Sequence, residues 1–144
     1  MNIFEAIRED HKKQRTLLDI LVKTHGDSEG REELFERLKE ELQVHAIAEE
    51  RFFYVPLMKD DLTQEKSRHS VSEHHEIDEL IQKLEETDYS SPGWLPTAKK
   101  LQETVTHHLD EEEHEVFQMA GKVLTEEEKI SLAKSYTDEM AERK

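Results

Sequence analysis

The chain has 144 residues, of which 38% are charged, and a formal net charge of −15. With no basic stripe to offset it, that charge argues against nucleic acid and against anionic membrane surfaces as partners. The absence of cysteine excludes disulfides, thiolate zinc sites, iron–sulfur clusters and thiol catalysis.

The length suits one domain with a real core, expected over residues 1–144. A hydrophobic content of 34%, with four Gly and three Pro, fits amphipathic helices that each keep one face wet. No apolar run reaches membrane-spanning length, and the opening Met-Asn-Ile-Phe-Glu-Ala-Ile-Arg is charged too early for a signal peptide, so a cytoplasmic location is expected.

The first predicted helix covers about 3–24, started by an Asn2/Glu5 capping box, with Ile7, His11, Leu18, Leu21 and Val22 facing inward. A turn over 26–30 leads into a second helix over about 31–59. There Leu34, Leu38, Leu42, His45, Glu49 and Phe52 or Phe53 share a stripe, and Pro56 loosens the last turn. After a turn at 60–63, a third helix over about 64–86 turns Val71, His74, Ile77, Ile81 and Leu84 inward.

The turn-rich 87–93 segment precedes a fourth helix from Trp94 to about Gly121, which tolerates Pro96 in its first turn. Its inner face carries Ala98, Leu101, Val105, His108, Glu112, Val116 and Met119. A last helix over about 125–143, capped by Thr125 and Glu128, has a thin apolar face (Ile130, Leu132, Ala133, Tyr136, Met140) and is expected outside the bundle or fraying. Short turns force antiparallel neighbours. The expected fold is therefore all-α, an up-down-up-down four-helix bundle over about 2–121 with an extra C-terminal helix.

One helix pair occurs twice. His11, His45 and Glu49 recur 63 positions later as His74, His108 and Glu112. Leu17/Leu80, Leu18/Ile81, Leu21/Leu84, Leu38/Leu101 and Leu42/Val105 follow the same shift, as do the acids Asp10/Glu73 and Glu50/Glu113 and the aromatics Tyr54/Phe117. Counted from the turns at 1.5 Å per residue, the six polar residues fall in one layer near mid-bundle.

Neutral imidazole with carboxylate is a donor set for first-row transition metals. In His-x-x-x-Glu the two side chains point the same way, one turn apart, so the imidazole serves as terminal ligand and the carboxylate can bridge to a second ion. Two buried carboxylates without metal would repel each other in a dry core. His11, His45, Glu49, His74, His108 and Glu112 are therefore the candidate metal ligands.

Other histidines read differently. His69/Glu73, His75/Glu79 and His107/Glu111 share the spacing. Even so, His75 and His107 lie about 100° off the apolar stripe, and all three of these histidines are expected to face solvent, with His75 or His107 a possible adventitious ligand. His25 suits a helix C-terminus. Glu111/His114 supplies a single Glu-x-x-His where a ferritin-like site needs two. Tyr54 and Phe117 are expected as core and pocket walls near the metal layer.

At Asp10-His11, at His45-Ala-Ile-Ala-Glu49-Glu50-Arg-Phe-Phe53-Tyr54-Val-Pro56, at Glu73-His74 with Ile77 and Leu80, and at His108-Leu-Asp-Glu-Glu112-Glu113, the chain resembles the hemerythrin-like (HHE cation-binding) domain family. The resemblance spans about residues 1–140. It implies a four-helix bundle with a non-haem centre of two iron ions bridged by Glu49 and Glu112. Hemerythrins proper carry His-x-x-x-His on the third helix. Here position 78 is Asp, so Asp78 or water would fill that place.

The resemblance implies a protein that binds or senses a small oxidant such as dioxygen, nitric oxide or peroxide. Two alternatives stay open: a metal-dependent redox enzyme for peroxide or nitric oxide detoxification or iron-centre repair, and a structural bundle holding zinc, another divalent metal or none. No nucleophile or general-base pair stands outside the metal layer, which ranks binding ahead of catalysis.

Overall fold

The computed structural model describes residues 1–26 and 29–143, without the side chain of Glu29. Asp27 and Ser28 of the predicted first turn lie outside the described residues, as does Lys144. Five helices follow in order: α1 (Ile3–Leu21), α2 (Glu29–Glu49), α3 (Gln64–Glu85), α4 (Trp94–Glu111) and α5 (Glu126–Arg143). Among the described residues there is no strand. Helix α1 packs on α2, α3 on α4 and α1 on α4, while α5 lies against α1 and α2. The expected all-α bundle with one extra helix is the observed architecture.

Both predicted capping boxes form. The Asn2 side chain accepts from the Glu5 N–H at 2.9 Å, and the Glu5 carboxylate accepts from the Asn2 N–H at 3.1 Å. Thr125 and Glu128 repeat the exchange at 3.1 and 2.9 Å. Each box satisfies donors that a helix N-terminus leaves open.

Helix α1 ends at Leu21, three residues before the predicted end. The Thr24 hydroxyl donates to the Leu21 carbonyl at 2.7 Å, and Arg31 donates to both the hydroxyl and the carbonyl of Thr24 at 2.8 Å. Those polar groups satisfy the helix end that a further turn would otherwise have used. Gly26 then takes φ +50°, in the left-handed region that suits glycine. Exposed His25 therefore lies beyond the helix rather than in its last turn.

Helices α2 and α4 each run on through a π turn, at Glu50–Tyr54 and Glu112–Val116, into short α segments Val55–Leu57 and Phe117–Val123. In each, a backbone N–H reaches five residues back: Val55 to Glu50, and Phe117 to Glu112. The irregularity predicted at Pro56 thus falls one turn earlier. Its counterpart at 112–116 contains no proline, so Pro56 alone does not cause it. Extra-residue turns of this kind collect at functional sites, and both begin at or beside the metal-type glutamates.

The core is split in two. One apolar half gathers Ile3, Ile7, Phe53, Leu57, Val116 and Phe117, and the other Leu18, Leu21, Leu38, Ile81, Trp94 and Leu101. His11, His45, Glu49, His74, His108 and Glu112 are buried between them.

Helix α5 lies on the outside of the four-helix bundle, the first of its two expected placements, with its apolar face buried. Ile130 is exposed, but Ala133, Tyr136 and Met140 belong to the first apolar half, and Tyr136 is 1% exposed. A thin apolar face suffices because α5 needs to cover only the α1–α2 groove. The helix is an integral wall rather than a fraying appendage.

Candidate metal centre

Each imidazole enters the layer from a different helix: His11 from α1, His45 from α2, His74 from α3 and His108 from α4. Glu49 and Glu112 stand one turn beyond His45 and His108, at the mouths of the two π turns. Ligand-type atoms gather in two overlapping groups, His11–His45–Glu49–Glu112 and Glu49–His74–His108.

Each carboxylate offers one oxygen to each side. Glu112 Oε1 lies 3.0 Å from His11 Nε2 and its Oε2 lies 3.6 Å from His108 Nε2. Glu49 Oε2 lies 3.3 Å from His45 Nε2 and its Oε1 lies 3.1 Å from His74 Nε2. Two ligands bound about 2.1 Å from one ion at 90–109° stand about 3.0–3.4 Å apart, which brackets most of these separations. The arrangement is two imidazole pairs flanking two bridging-type carboxylates. All six predicted residues are brought together.

The donor atoms lack other partners. Nε2 of all four histidines, both oxygens of Glu49 and Oε1 of Glu112 are buried without a hydrogen bond. Native cores leave very few buried polar atoms so placed. Here they are concentrated on one set of transition-metal donors, which could hold a cation.

Carboxylates also stand behind the rings. His108 Nδ1 lies 2.9 Å from Glu73 Oε1. His45 Nδ1 lies 2.5 Å from the Tyr136 hydroxyl, which itself donates to Asp10. His11 Nδ1 is 3.6 Å from Glu113, and His74 Nδ1 is 3.8 Å from Glu50. At His108 and His45 these partners hold Nδ1 and turn Nε2 toward the layer, whereas Nδ1 of His11 and of His74 lies near an acid without a hydrogen bond. The four acids are the repeat pairs Asp10/Glu73 and Glu50/Glu113. Their equivalence was visible in the sequence, and their place behind the rings was not.

Two asymmetries break the repeat. Tyr136 of α5 is inserted between Asp10 and His45, whereas Glu73 meets His108 directly. Tyr54 donates to Glu112 Oε2, while its counterpart Phe117 stacks on His11 at 6.3 Å between ring centres. Tyr54 and Phe117 do wall the layer, as expected, and Tyr54 adds a hydroxyl at the carboxylates.

The protonation pattern follows from burial against charge. Burial pushes the His45 imidazole down, but the nearby carboxylates of Glu49 and Asp10 outweigh it and hold its pKa at about 9. For His74 burial is likewise overcome, by Glu49 and Glu50, again to about 9. Burial keeps His11 below its ordinary value. Burial and the neighbouring charge of Glu49 raise Glu112 far above the carboxylate range. Glu49 goes the other way: burial raises it, but His45 and His74 pull it well down. Glu113 is held at about 2 by the neighbouring His11 imidazole, against burial and with help from Arg15, whose guanidinium lies 2.5 Å away. Protons on His45, His74 and Glu112 thus offset the carboxylate charge of the layer when it holds no metal.

Asp78 is not a member of either donor group. It is exposed, at the rim of a narrow cleft with Gln14, His45, His74 and His108. His69, His75 and His107 are exposed, as expected, and so is His114. His114 Nδ1 lies 2.7 Å from its own helix's Asp110 carbonyl, and Glu111 turns toward His69 and His107 instead of the core.

A helical bundle whose buried histidines and glutamates are grouped as cation ligands is the class that this fold and layer define. Residues 2–120 match the family model of the hemerythrin HHE cation binding domain, and the chain belongs to that family. An uncharacterized hemerythrin-like protein of Schizosaccharomyces pombe is 28% identical over 140 residues, covering 93% of this chain and 66% of the relative. A DNA nickase of Nostoc is 27% identical over 128 residues, covering 89% of this chain and 36% of the relative. The chain therefore spans less than two thirds of each of these curated relatives. The crystal structure of a hemerythrin HHE cation binding domain-containing protein from Mycobacterium kansasii superposes with a TM-score of 0.90 at 24% identity, covering 99% of this chain and 87% of that one. That likeness speaks for the fold. No described helix is long and apolar enough to cross a membrane.

Proposed function

We propose that the chain holds two first-row metal ions, iron foremost, with His11 and His45 on one, His74 and His108 on the other, and Glu49 and Glu112 across both. On this reading it binds or senses a small oxidant such as dioxygen, nitric oxide or peroxide. The observation that carries the reading is the convergence of partnerless buried Nε2 and carboxylate atoms on one layer. Bound iron would supply a redox-active centre able to take a small ligand at an open position.

The chain's own groups do the rest. Asp10 through Tyr136, and Glu73 directly, fix the tautomers of His45 and His108. The two apolar halves exclude bulk water from above and below. Access is through the cleft beside Gln14 and Asp78, which has room for about one water molecule and so admits diatomic-sized ligands. Gln14 is 1% exposed and its Nε2 has no partner, which leaves a neutral donor for a ligand entering there.

The test is metal analysis with an absorption spectrum of the iron-loaded protein, before and after air or azide. Two irons per chain and charge-transfer bands abolished by His45→Ala are expected. Absence of iron after anaerobic reconstitution would overturn the reading. A stable, reversible adduct marks binding, and rapid loss of the oxidant marks catalysis.

A further inference from the structure

Two of the His-x-x-x-Glu spacings outside the central layer come from adjacent helices and meet on the surface. His69 and Glu73 lie on α3, His107 and Glu111 on α4. His69 Nε2 stands 3.6 Å from Glu73 Oε2 and 3.2 Å from Glu111 Oε1, and the three side chains form a cluster of ligand-type atoms distinct from the two central groups. His107 Nε2 lies 3.4 Å from the other oxygen of Glu111.

We propose that His69, Glu73 and Glu111 form an outer divalent-cation site, with His107 or water completing the shell. Three features set it apart from an ordinary acidic patch. An imidazole from one helix is aimed between carboxylates of two helices, so the donors converge from both sides. The His69–Glu separations match the roughly 3.4 Å edge of a tetrahedron around an ion with 2.1 Å bonds. Glu73 is only 7% exposed, so its second oxygen is fixed by the same packing that holds Oε1 on His108. Mixed nitrogen and carboxylate donors favour zinc or another first-row ion over calcium or magnesium. The site opens on a surface groove that also carries Asp61, Glu65 and Lys66, the last paired with Glu115, so the lining stays net negative and raises the local cation concentration.

Glu73 is shared. One oxygen accepts from His108 Nδ1 and the other faces the outer site. A cation there withdraws charge from Glu73 and weakens its hold on His108, so outer occupancy tunes the central layer. This coupling rests on the metal reading of that layer, whereas the outer site does not.

The iron-loaded, desalted 144-residue chain is titrated with Zn2+, passed through gel filtration and analysed for metal. The wild type is expected to retain about one Zn2+ more than His69→Ala or Glu111→Gln, while His75→Ala, an exposed histidine elsewhere on α3, retains as much as the wild type. Zn2+ is expected to shift the His69 ring signals in NMR spectra of the wild type. Equal zinc in wild type and both variants, or an unmoved His69 ring, overturns the site. The reading is a difference between proteins, so it holds whether or not the central layer contains metal. The coupling is read separately, as a Zn2+-dependent shift of the iron absorption bands that His69→Ala abolishes; unshifted bands with the extra zinc present overturn the coupling alone.

Discussion

Loading the central layer with metal should expel protons, and the number follows from the site's electrostatics. In the metal-free protein His45 and His74 are held at about 9, because the carboxylates around them outweigh burial. At pH 7 both imidazoles therefore carry a proton that must leave before Nε2 can bind an ion. His11, pushed below its ordinary value by burial, contributes none.

Loading at pH 7 is then expected to release about two protons from the histidines, plus up to about one from Glu112, whose carboxyl is raised by burial and by Glu49. Apparent metal affinity should climb about 10-fold per pH unit for each ion, since each takes one of the two protonated histidines, and level off as pH passes 9. Between pH 7 and 9 the change amounts to at most about two decades per ion. Calorimetric titration in buffers of different ionisation enthalpy reads the proton count, and equilibrium dialysis at stepped pH reads the slope. A slope near zero between pH 7 and 8 would refute the reasoning, for it would mean that these imidazoles are unprotonated or are not ligands.

Three further outcomes are expected. The metal-free fold should respond to pH in the opposite sense: raised histidine pKa values stabilise it fully below about 6.5, and that stability is lost as pH rises to about 9. By linkage this is about 3 kcal/mol per histidine, visible as a falling melting temperature across that range. Tyr136→Phe removes the hydroxyl between Asp10 and His45, and should weaken metal binding about 10- to 100-fold in a chelator competition while circular dichroism keeps its helical signal. Leu38→Ala, at a site with 0% exposure in the half of the core away from the π turns, should cost about 2–5 kcal/mol in denaturant unfolding while leaving metal stoichiometry unchanged.

Much of this protein was legible before any coordinates. Apolar spacing marked the helices, because a helix that must bury one stripe writes that stripe at every third and fourth residue. The 63-residue recurrence of His, His and Glu marked the layer, because two copies of a hairpin facing each other must bring equivalent residues to one height. Both capping boxes were equally plain, being local exchanges of hydrogen bonds within four residues.

Contacts between distant parts of the chain left no such periodic trace. Tyr136 reaches Asp10 across 126 positions, and a helix with a thin apolar stripe gives no sign of which groove it will fill. The π turns lie in stretches whose own composition reads as ordinary helix, and they begin at or beside the buried glutamates. His69 read as a solvent-facing histidine until α3 and α4 set it 3.2 Å from Glu111. Periodicity along one chain determines which face each helix buries. Which side chains stand behind the metal-type histidines, and which meet on the surface, depends on how the helices rotate and slide against one another, and that is decided only when all five pack together.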